Sequence, residues 1–145
     1  MKIENYSDQY LLDVSNLIQN FHTEAIGEYE GIASPYSIVQ TIRTAQHENA
    51  FLLLLEGKCE GILYGTVFDS LTSGEHIFQE VIWYVNKPFR RYGIQMMSHV
   101  RNVLKSRGVN IMIMAVLENS KTEKIKRFYE RLGFKVMETH YVRTL

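Results

Sequence analysis

Three shortages in the sequence each exclude a class of protein. The chain has one cysteine, Cys59, which can form no internal disulfide, and this favours a reducing compartment such as the cytoplasm. It has only two prolines and no low-complexity tract, so no linker divides it. Its 16 basic residues balance its 16 acidic residues, so we expect no general binding to nucleic acid or to an anionic membrane. Any anion-binding site must therefore be local.

Long apolar runs are also missing. The N-terminal segment MKIENYSDQY is polar, and no apolar stretch near it approaches the about 20 residues of a membrane span, so neither a signal peptide nor a membrane anchor is predicted. Hydrophobic residues make up 46% of the chain, which is enough for one core. With 145 residues, the chain is too short for two ordinary domains. We therefore predict a single domain over residues 1–145. The five histidines show no pair at ligand spacing, so no metal site is predicted.

Hydrophobic spacing predicts the first half of the fold. After a short strand at MKIEN, apolar residues recur at three- and four-residue steps, typical of an amphipathic helix: Leu11, Val14, Ile18 and Phe21. Ser34 followed by Pro35 is a cap and a first-turn proline, which predict a second helix that ends near Gln46. The segment AFLLLLEGKCEGILYGTVF has two apolar runs around a glycine-containing turn and predicts a β-hairpin.

Three strands and two helices are predicted in the second half. HIFQEVIWYV predicts a strand with Trp83 and Val85 on one face and Ile82 and Tyr84 on the other. NIMIMAV predicts a strand buried on both faces, and KVMETHYVR predicts a last strand. One helix follows the first of these strands and ends at Gly108. The other, LENSKTEKIKRFYERLGF, has Ser120 and Glu123 in capping-box spacing and ends at Gly133.

The segment FRRYGIQ joins a predicted strand to a predicted helix. The N–H groups of a first helical turn and the helix dipole suit a phosphate there. Gly93 allows the backbone to approach a ligand, while Arg90 and Arg91 supply guanidinium groups for phosphate oxygens. Taken alone, a glycine in such a turn beside paired surface arginines is more often an ordinary solvated rim.

Two motifs together resemble one family. RRYGIQ resembles the acyl-CoA pyrophosphate loop of the GNAT family (Gcn5-related N-acetyltransferases), whose pattern is Gln or Arg, two residues, Gly, one residue, then Gly or Ala. Arg90 and Gly93 match this pattern, whereas Gln95 replaces its second small residue. FYERLGF, which contains Tyr129, resembles the Tyr-Glu-x-x-Gly-Phe end of the family's second motif. The segment EVIWYVNKPFRR and the element order also resemble the family over essentially the whole chain.

The resemblance implies an α/β (α+β) fold with a mixed, mostly antiparallel central sheet of about six strands, flanked by about four helices. The strands of this sheet are expected to splay apart where the cofactor enters. The resemblance also implies acetyl-CoA as the acyl donor and direct transfer to a primary amine, with no metal. The residues implied to contact the donor are Val85, Asn86, Arg90, Arg91, Tyr92, Gly93, Ile94, Gln95 and Asn119. Among them, Val85 or Asn86 offers a backbone N–H to the thioester carbonyl. Asn119 lies about one helical turn further from Tyr129 than is usual in the family.

Two residues are candidates for proton transfer. Tyr129 is the candidate acid, because a phenol can donate to a developing thiolate and a resembling tyrosine does so in the family. Its structural alternative is an aromatic side chain packed beside Phe128. Glu80 is the candidate base, since its apolar neighbours on the strand would raise its pKa. A register error of one residue would turn it to solvent, and Glu75 or His76 could then serve instead.

The acceptor is harder to predict. The segment HTEAIGEYEGIASPYS, between the first two helices, covers the acceptor site by family analogy, and Tyr29, Glu30 and Tyr36 are candidates to contact a cationic amine on a small molecule or a protein. A homodimer is one candidate assembly by the same resemblance. Two alternatives stay open: a non-catalytic GNAT fold that binds acyl-CoA or a protein, similar to compact proteins of bacterial viruses, and a nucleotide-binding domain, which the lack of a glycine-rich fingerprint disfavours.

Overall fold

Five strands form one mixed sheet in the order β1-β2-β3-β4-β5. The structure is a computed structural model that describes residues 1–117 and 122–145. The strands are β1 (Lys2–Asn5), β2 (Ala50–Leu55), β3 (Lys58–Asp69), β4 (His76–Val85) and β5 (Ile111–Ile113). Neighbours from β1 to β4 are antiparallel, and β5 runs parallel to β4. The mixed, mostly antiparallel sheet is thus confirmed.

Helices lie on both faces of this sheet. They are α1 (Leu11–Phe21), α2 (Gly27–Glu30), α3 (Pro35–Thr44), α4 (Gly93–Ser106) and α5 (Thr122–Arg131). A π-helical segment, His22–Ile26, joins α1 to α2. The predicted cap of α3 is present, because the Ser34 hydroxyl oxygen accepts a hydrogen bond from the Ser37 N–H at 3.2 Å. None of the helices in the described ranges combines the length and apolar character that crossing a bilayer demands.

Alternating residues of the central strands supply two separate cores. Leu52 and Leu54 of β2 pack against α1 and α3, while Phe51 and Leu53 pack against α4. The predicted faces of β4 are confirmed in the same way, because Ile82 joins the first core and Val85 the second. Because both faces of β2 are buried, its sequence is an uninterrupted apolar run.

A β-bulge interrupts the pairing of β3 with β4 and sets the orientation of Glu80. Tyr64 pairs with Ile82 and Gly65 with Glu80, so Val81 is the extra residue. Glycine is required at position 65 because neighbouring atoms lie very close, and not because the backbone adopts a special conformation. A Cβ at this position would lie 2.4 Å from the Phe78 ring and 2.5 Å from the Gln79 carbonyl oxygen.

We therefore expect Gly65→Ala to destabilise the protein by about 1–3 kcal/mol, because the added methyl overlaps backbone as well as a buried ring. Urea denaturation measures this change in the free energy of unfolding. Gly93→Ala is the matched control, since a Cβ there would lie at an ordinary 3.5 Å from Trp83. Equal stability of Gly65→Ala and the wild type would show that the bulge relaxes freely.

β4 and β5 separate after a short contact. Their pairing covers Ile77 with Ile111, Phe78 with Met112 and Gln79 with Ile113. Residues 80–85 of β4 continue beyond the last of these pairs, while the chain after Ile113 leaves the strand. The sheet therefore opens at Glu80, as the predicted splay requires.

Two predicted strands need correction. β5 has three residues and Ile111 is 40% exposed, so the prediction of a longer strand buried on both faces was wrong; as the last strand of the sheet, it pairs on one edge. The predicted strand KVMETHYVR is absent, and its Val136 and Met137 are 81% and 71% exposed. A strand needs a partner as well as β-forming residues, and local sequence does not encode the partner. The predicted cap at Ser120 lies outside the described residues.

Candidate functional site

The two candidates for proton transfer meet at one residue where the sheet opens. The Ala115 N–H donates a hydrogen bond to Glu80 Oε2 at 2.5 Å, and the Tyr129 hydroxyl donates one to the Ala115 carbonyl at 3.2 Å. Ala115 lies just beyond β5, on the segment that leaves β4. A strand, a loop and a helix thus bring together two side chains that are far apart in the sequence.

Glu80 is half-buried, with its carboxylate held against the Ala115 backbone. Burial raises the pKa of Glu80 to about 7, and the hydrogen bond from Ala115, which favours the carboxylate, limits that rise. A carboxyl group of this kind exchanges its proton near neutral pH, the range in which a general base is most effective.

Tyr129 is 7% exposed and lies in a cluster of aromatic rings. Its ring centroid is 6.0 Å from that of Trp83, 6.0 Å from that of Phe128 and 5.3 Å from that of Phe134. Burial raises the pKa of the Tyr129 phenol, and the negative charge of Glu80 raises it further. The hydroxyl therefore keeps its proton and acts as a donor at this point.

Trp83, the only tryptophan of the chain, connects these aromatic rings to the predicted phosphate loop. Its indole N–H is buried and has no hydrogen-bond partner among the residues that the structure describes. The ring lies against the start of α4, where a Cβ on Gly93 would approach it to 3.5 Å. An unpaired buried donor next to an opening in the sheet is a reason to expect a ligand or a water there.

The free edge of β4 presents Val85 rather than Asn86. The Asn86 N–H donates to the Glu60 carbonyl of β3 at 2.9 Å. Because partners alternate along an antiparallel pair, the backbone groups of Val85 face the other edge, where its carbonyl accepts a bond from Arg90 Nε at 2.9 Å. Of the two predicted backbone donors, the Val85 N–H is thus the one directed away from β3.

The predicted phosphate loop forms a 3₁₀ turn, Lys87–Tyr92, that leads into α4. Both oxygens of Glu24 accept bonds from Arg90 Nη2, at 2.9 and 3.0 Å. Arg91 lies over the Tyr92 ring at 4.6 Å and donates to its hydroxyl oxygen at 3.1 Å. Gln95 is exposed and lines a groove of about 510 Å³ with Ile94 and with Ile3 of β1. The predicted roles of these residues in donor binding stay predictions.

The remaining candidates lie apart from Glu80. Glu30 lines a cavity of about 290 Å³ between α1 and α3, Tyr29 is half-buried, and Tyr36 is 74% exposed. His76, one of the alternative bases, pairs with Asp69 and is four positions from Glu80, roughly 13 Å along the strand. Asn119 lies outside the described residues. Within those residues, no three His, Cys, Asp or Glu side chains come together as metal ligands.

Sequence reasoning missed three residues of this region: Glu24, Tyr84 as its partner, and Ala115. The Tyr84 hydroxyl donates to Glu24 Oε2 at 3.0 Å, and Ala115 acts through its backbone alone. These contacts join positions far apart in the chain, so no local pattern of residues could have identified them.

One model of a known protein family covers most of the chain. A family model described as "Acetyltransferase (GNAT) domain" matches residues 13–141. No curated protein sequence matches the chain.

Several solved structures share the fold at low sequence identity. A transcriptional regulator from Bacillus halodurans C-125 has a TM-score of 0.77 at 17% identity, with 99% of this chain and 99% of that chain covered. An aminoglycoside acetyltransferase from an uncultured soil metagenomic sample has a TM-score of 0.72 at 16% identity, with 99% and 97% covered. A ribosomal-protein-alanine N-acetyltransferase from Brucella melitensis biovar Abortus 2308 has a TM-score of 0.74 at 12% identity, with 99% and 98% covered.

Proposed function

Because the chain belongs to the GNAT acetyltransferase family, we propose that it transfers the acetyl group of acetyl-CoA to a primary amine by direct attack. The observation that carries this proposal is the meeting of Glu80 and Tyr129 at Ala115. It puts a carboxyl group with a pKa of about 7 and a protonated phenol at the same opening of the sheet.

Glu80 and Tyr129 have complementary tasks in this proposal. A primary amine is largely protonated at neutral pH, and the Glu80 carboxylate accepts the proton that the amine must lose, directly or through a water molecule. Tyr129 Oη holds a proton that it can give to a leaving sulfur atom. When bound, acetyl-CoA supplies the thioester: the amine nitrogen bonds to the carbonyl carbon, and the carbon–sulfur bond breaks.

Gly93 is the residue that best fits a bound acyl donor. Its φ of −58° is ordinary helical backbone, and a Cβ would meet the Trp83 ring at an ordinary 3.5 Å. Within the described chain nothing requires glycine here, yet glycine in a helix costs about 0.5–1 kcal/mol relative to alanine. Close approach of a ligand to the backbone would explain it. The N–H groups at the start of α4, Arg91 and the Val85 N–H would then hold the donor.

We therefore expect Gly93→Ala to have opposite effects on folding and on binding. Stability should rise by about 0.4–1 kcal/mol, because alanine restricts the unfolded chain and favours the helix. Affinity for acetyl-CoA should fall about tenfold, the equivalent of one or two lost hydrogen bonds. Thermal unfolding and isothermal titration calorimetry measure the two quantities. Raised stability with unchanged affinity would mean that the donor does not approach this backbone.

Calorimetry with acetyl-CoA, with ATP and NAD as controls, tests the proposed function. Selective binding of acetyl-CoA supports it, and an acceptor panel then includes aminoglycosides and peptides with an N-terminal alanine, the acceptor classes suggested by the names of two fold relatives. Binding without turnover on any amine would favour a non-catalytic acyl-CoA-binding protein. Binding of ATP or NAD instead of acetyl-CoA would favour the nucleotide-binding alternative.

A further inference from the structure

The guanidinium of Arg90 already binds an anionic group of the protein itself. Nη2 donates to both carboxylate oxygens of Glu24, while Nε donates to the Val85 carbonyl. The Tyr84 hydroxyl donates to the same carboxylate at 3.0 Å, and its ring lies 5.4 Å below the Arg90 guanidinium carbon. These contacts hold Glu24 beside the loop Lys87–Tyr92, on the face of β4 that carries Tyr84.

Glu24 comes from the π-helical segment His22–Ile26, which joins α1 to α2. Such segments carry one extra residue per turn and occur frequently at functional sites. Here the segment places a negative charge against Arg90, three residues before α4 begins, and the proposed function requires the phosphates of the donor at the start of that helix. The Arg90 and Glu24 side chains are 36% and 24% exposed, so the pair is only partly screened by water.

A phosphate and the Glu24 carboxylate cannot both use the same Arg90 donors. They also repel each other at the distance of two groups that share one guanidinium. The donor must therefore either displace Glu24 from Arg90 or bind beside an unfavourable charge. In both cases Glu24 lowers the affinity for a donor that carries phosphates, and it leaves a phosphate-free donor unaffected.

We propose that Glu24 sets the affinity of this protein for its acyl donor by competing with the diphosphate group for Arg90. This inference rests on the proposed function, since it requires acetyl-CoA as the donor. It also couples the segment His22–Ile26 to donor binding, because Glu24 of that segment contacts both Arg90 and Tyr84. Glu24 is a specificity-determining residue in this scheme and takes no part in proton transfer.

The test compares Glu24→Gln with the wild type on two donors. Acetyl-CoA carries phosphates, whereas acetyl-pantetheine has the thioester arm without them. We expect Glu24→Gln to bind acetyl-CoA about three- to tenfold more tightly, in line with a partly exposed charge pair, and to bind acetyl-pantetheine unchanged. The gain should shrink at high salt. Calorimetry measures the affinity for acetyl-CoA, and Trp83 fluorescence measures the weaker affinity for acetyl-pantetheine.

Two further variants make the result specific. Glu28→Gln removes the same charge from a neighbouring exposed position and should leave both affinities unchanged. Tyr84→Phe loosens Glu24 without removing its charge, and it should tighten acetyl-CoA binding by a smaller factor.

Weaker or unchanged acetyl-CoA binding by Glu24→Gln would overturn the inference, because Glu24 would then orient Arg90 or be irrelevant to it. Equal tightening of both donors, or an equal effect of Glu28→Gln, would do the same. Failure of the wild type and of every variant to bind acetyl-CoA would instead overturn the proposed function, and the inference with it.

Discussion

Replacing Glu80 with glutamine is expected to lower kcat for amine acetylation by about 10²- to 10⁴-fold, the usual contribution of a positioned general base. Glutamine has nearly the same shape and can still accept the Ala115 N–H, so the change removes proton transfer and little else. Steady-state kinetics on the best acceptor measures it. Glu75→Gln is the matched control, since Glu75 is exposed just before β4 and should be neutral. A larger loss in Glu75→Gln than in Glu80→Gln would reverse the assignment of the base.

The pH dependence gives a second readout of the same residue. Glu80 must be ionised to accept a proton, so the wild-type rate should rise with pH through about 7, the pKa of this group. Glu80→Gln should lack that rise and keep only the dependence that belongs to the amine. A wild-type profile without a rise near neutral pH would contradict the role of Glu80.

The stability of the protein should fall as pH rises, whereas its activity should rise. The pKa of Glu80 is raised from 4.5 to about 7 on folding, so the folded state binds more protons than the unfolded state between these values. Stability from this residue is therefore lost as pH rises through that window. Glu80→Gln should be more stable than the wild type above neutral pH, with the difference vanishing below the lower value. Thermal unfolding across this range also shows whether the variant is folded.

Tyr129→Phe is expected to lower kcat by about 10²-fold while acetyl-CoA affinity stays within about twofold. The substitution removes the hydroxyl proton and leaves the ring against Trp83, Phe128 and Phe134. It also leaves the Ala115 carbonyl without this donor, at a cost in stability of about 1 kcal/mol. Single-turnover kinetics and calorimetry separate the two effects.

Tyr141→Phe is the control for this variant, because Tyr141 is 95% exposed. Unchanged turnover in Tyr129→Phe would remove Tyr129 from the mechanism. A matching loss of acetyl-CoA affinity would make it a binding residue instead of an acid.

Local sequence patterns were sufficient for most of the fold. The hairpin of β2 and β3, the capped start of α3 at Ser34 and the two faces of β4 each depend on residues within a few positions of one another, which is what spacing and capping patterns report. The missing last strand was predicted for the same reason. Its apolar residues suit a strand, but pairing depends on which distant segment lies beside it.

The candidate site was only partly predictable. Family resemblance identified Tyr129, and the apolar neighbours of Glu80 on its strand identified Glu80. The orientation of Glu80, however, depends on the bulge opposite Gly65, a feature of two strands together. The hydrogen bonds to Ala115 are made by its backbone, which every residue carries, so no residue type could indicate them. The Arg90–Glu24 pair joins positions 66 residues apart, and many other carboxylates were equally plausible partners by sequence alone.

The short pairing of β4 with β5 gives the two halves of the site unequal mechanical support. Glu80 belongs to a strand that pairs with β3 along nearly its whole length and has cores on both faces, whereas Ala115 follows a strand with three paired positions. Backbone amides that are hydrogen-bonded between β3 and β4 should therefore exchange with solvent deuterium only through global unfolding, and those around Ala115 through local opening. Glu80 then keeps a fixed position, while Ala115 opposite it can move to accommodate substrates of different thickness.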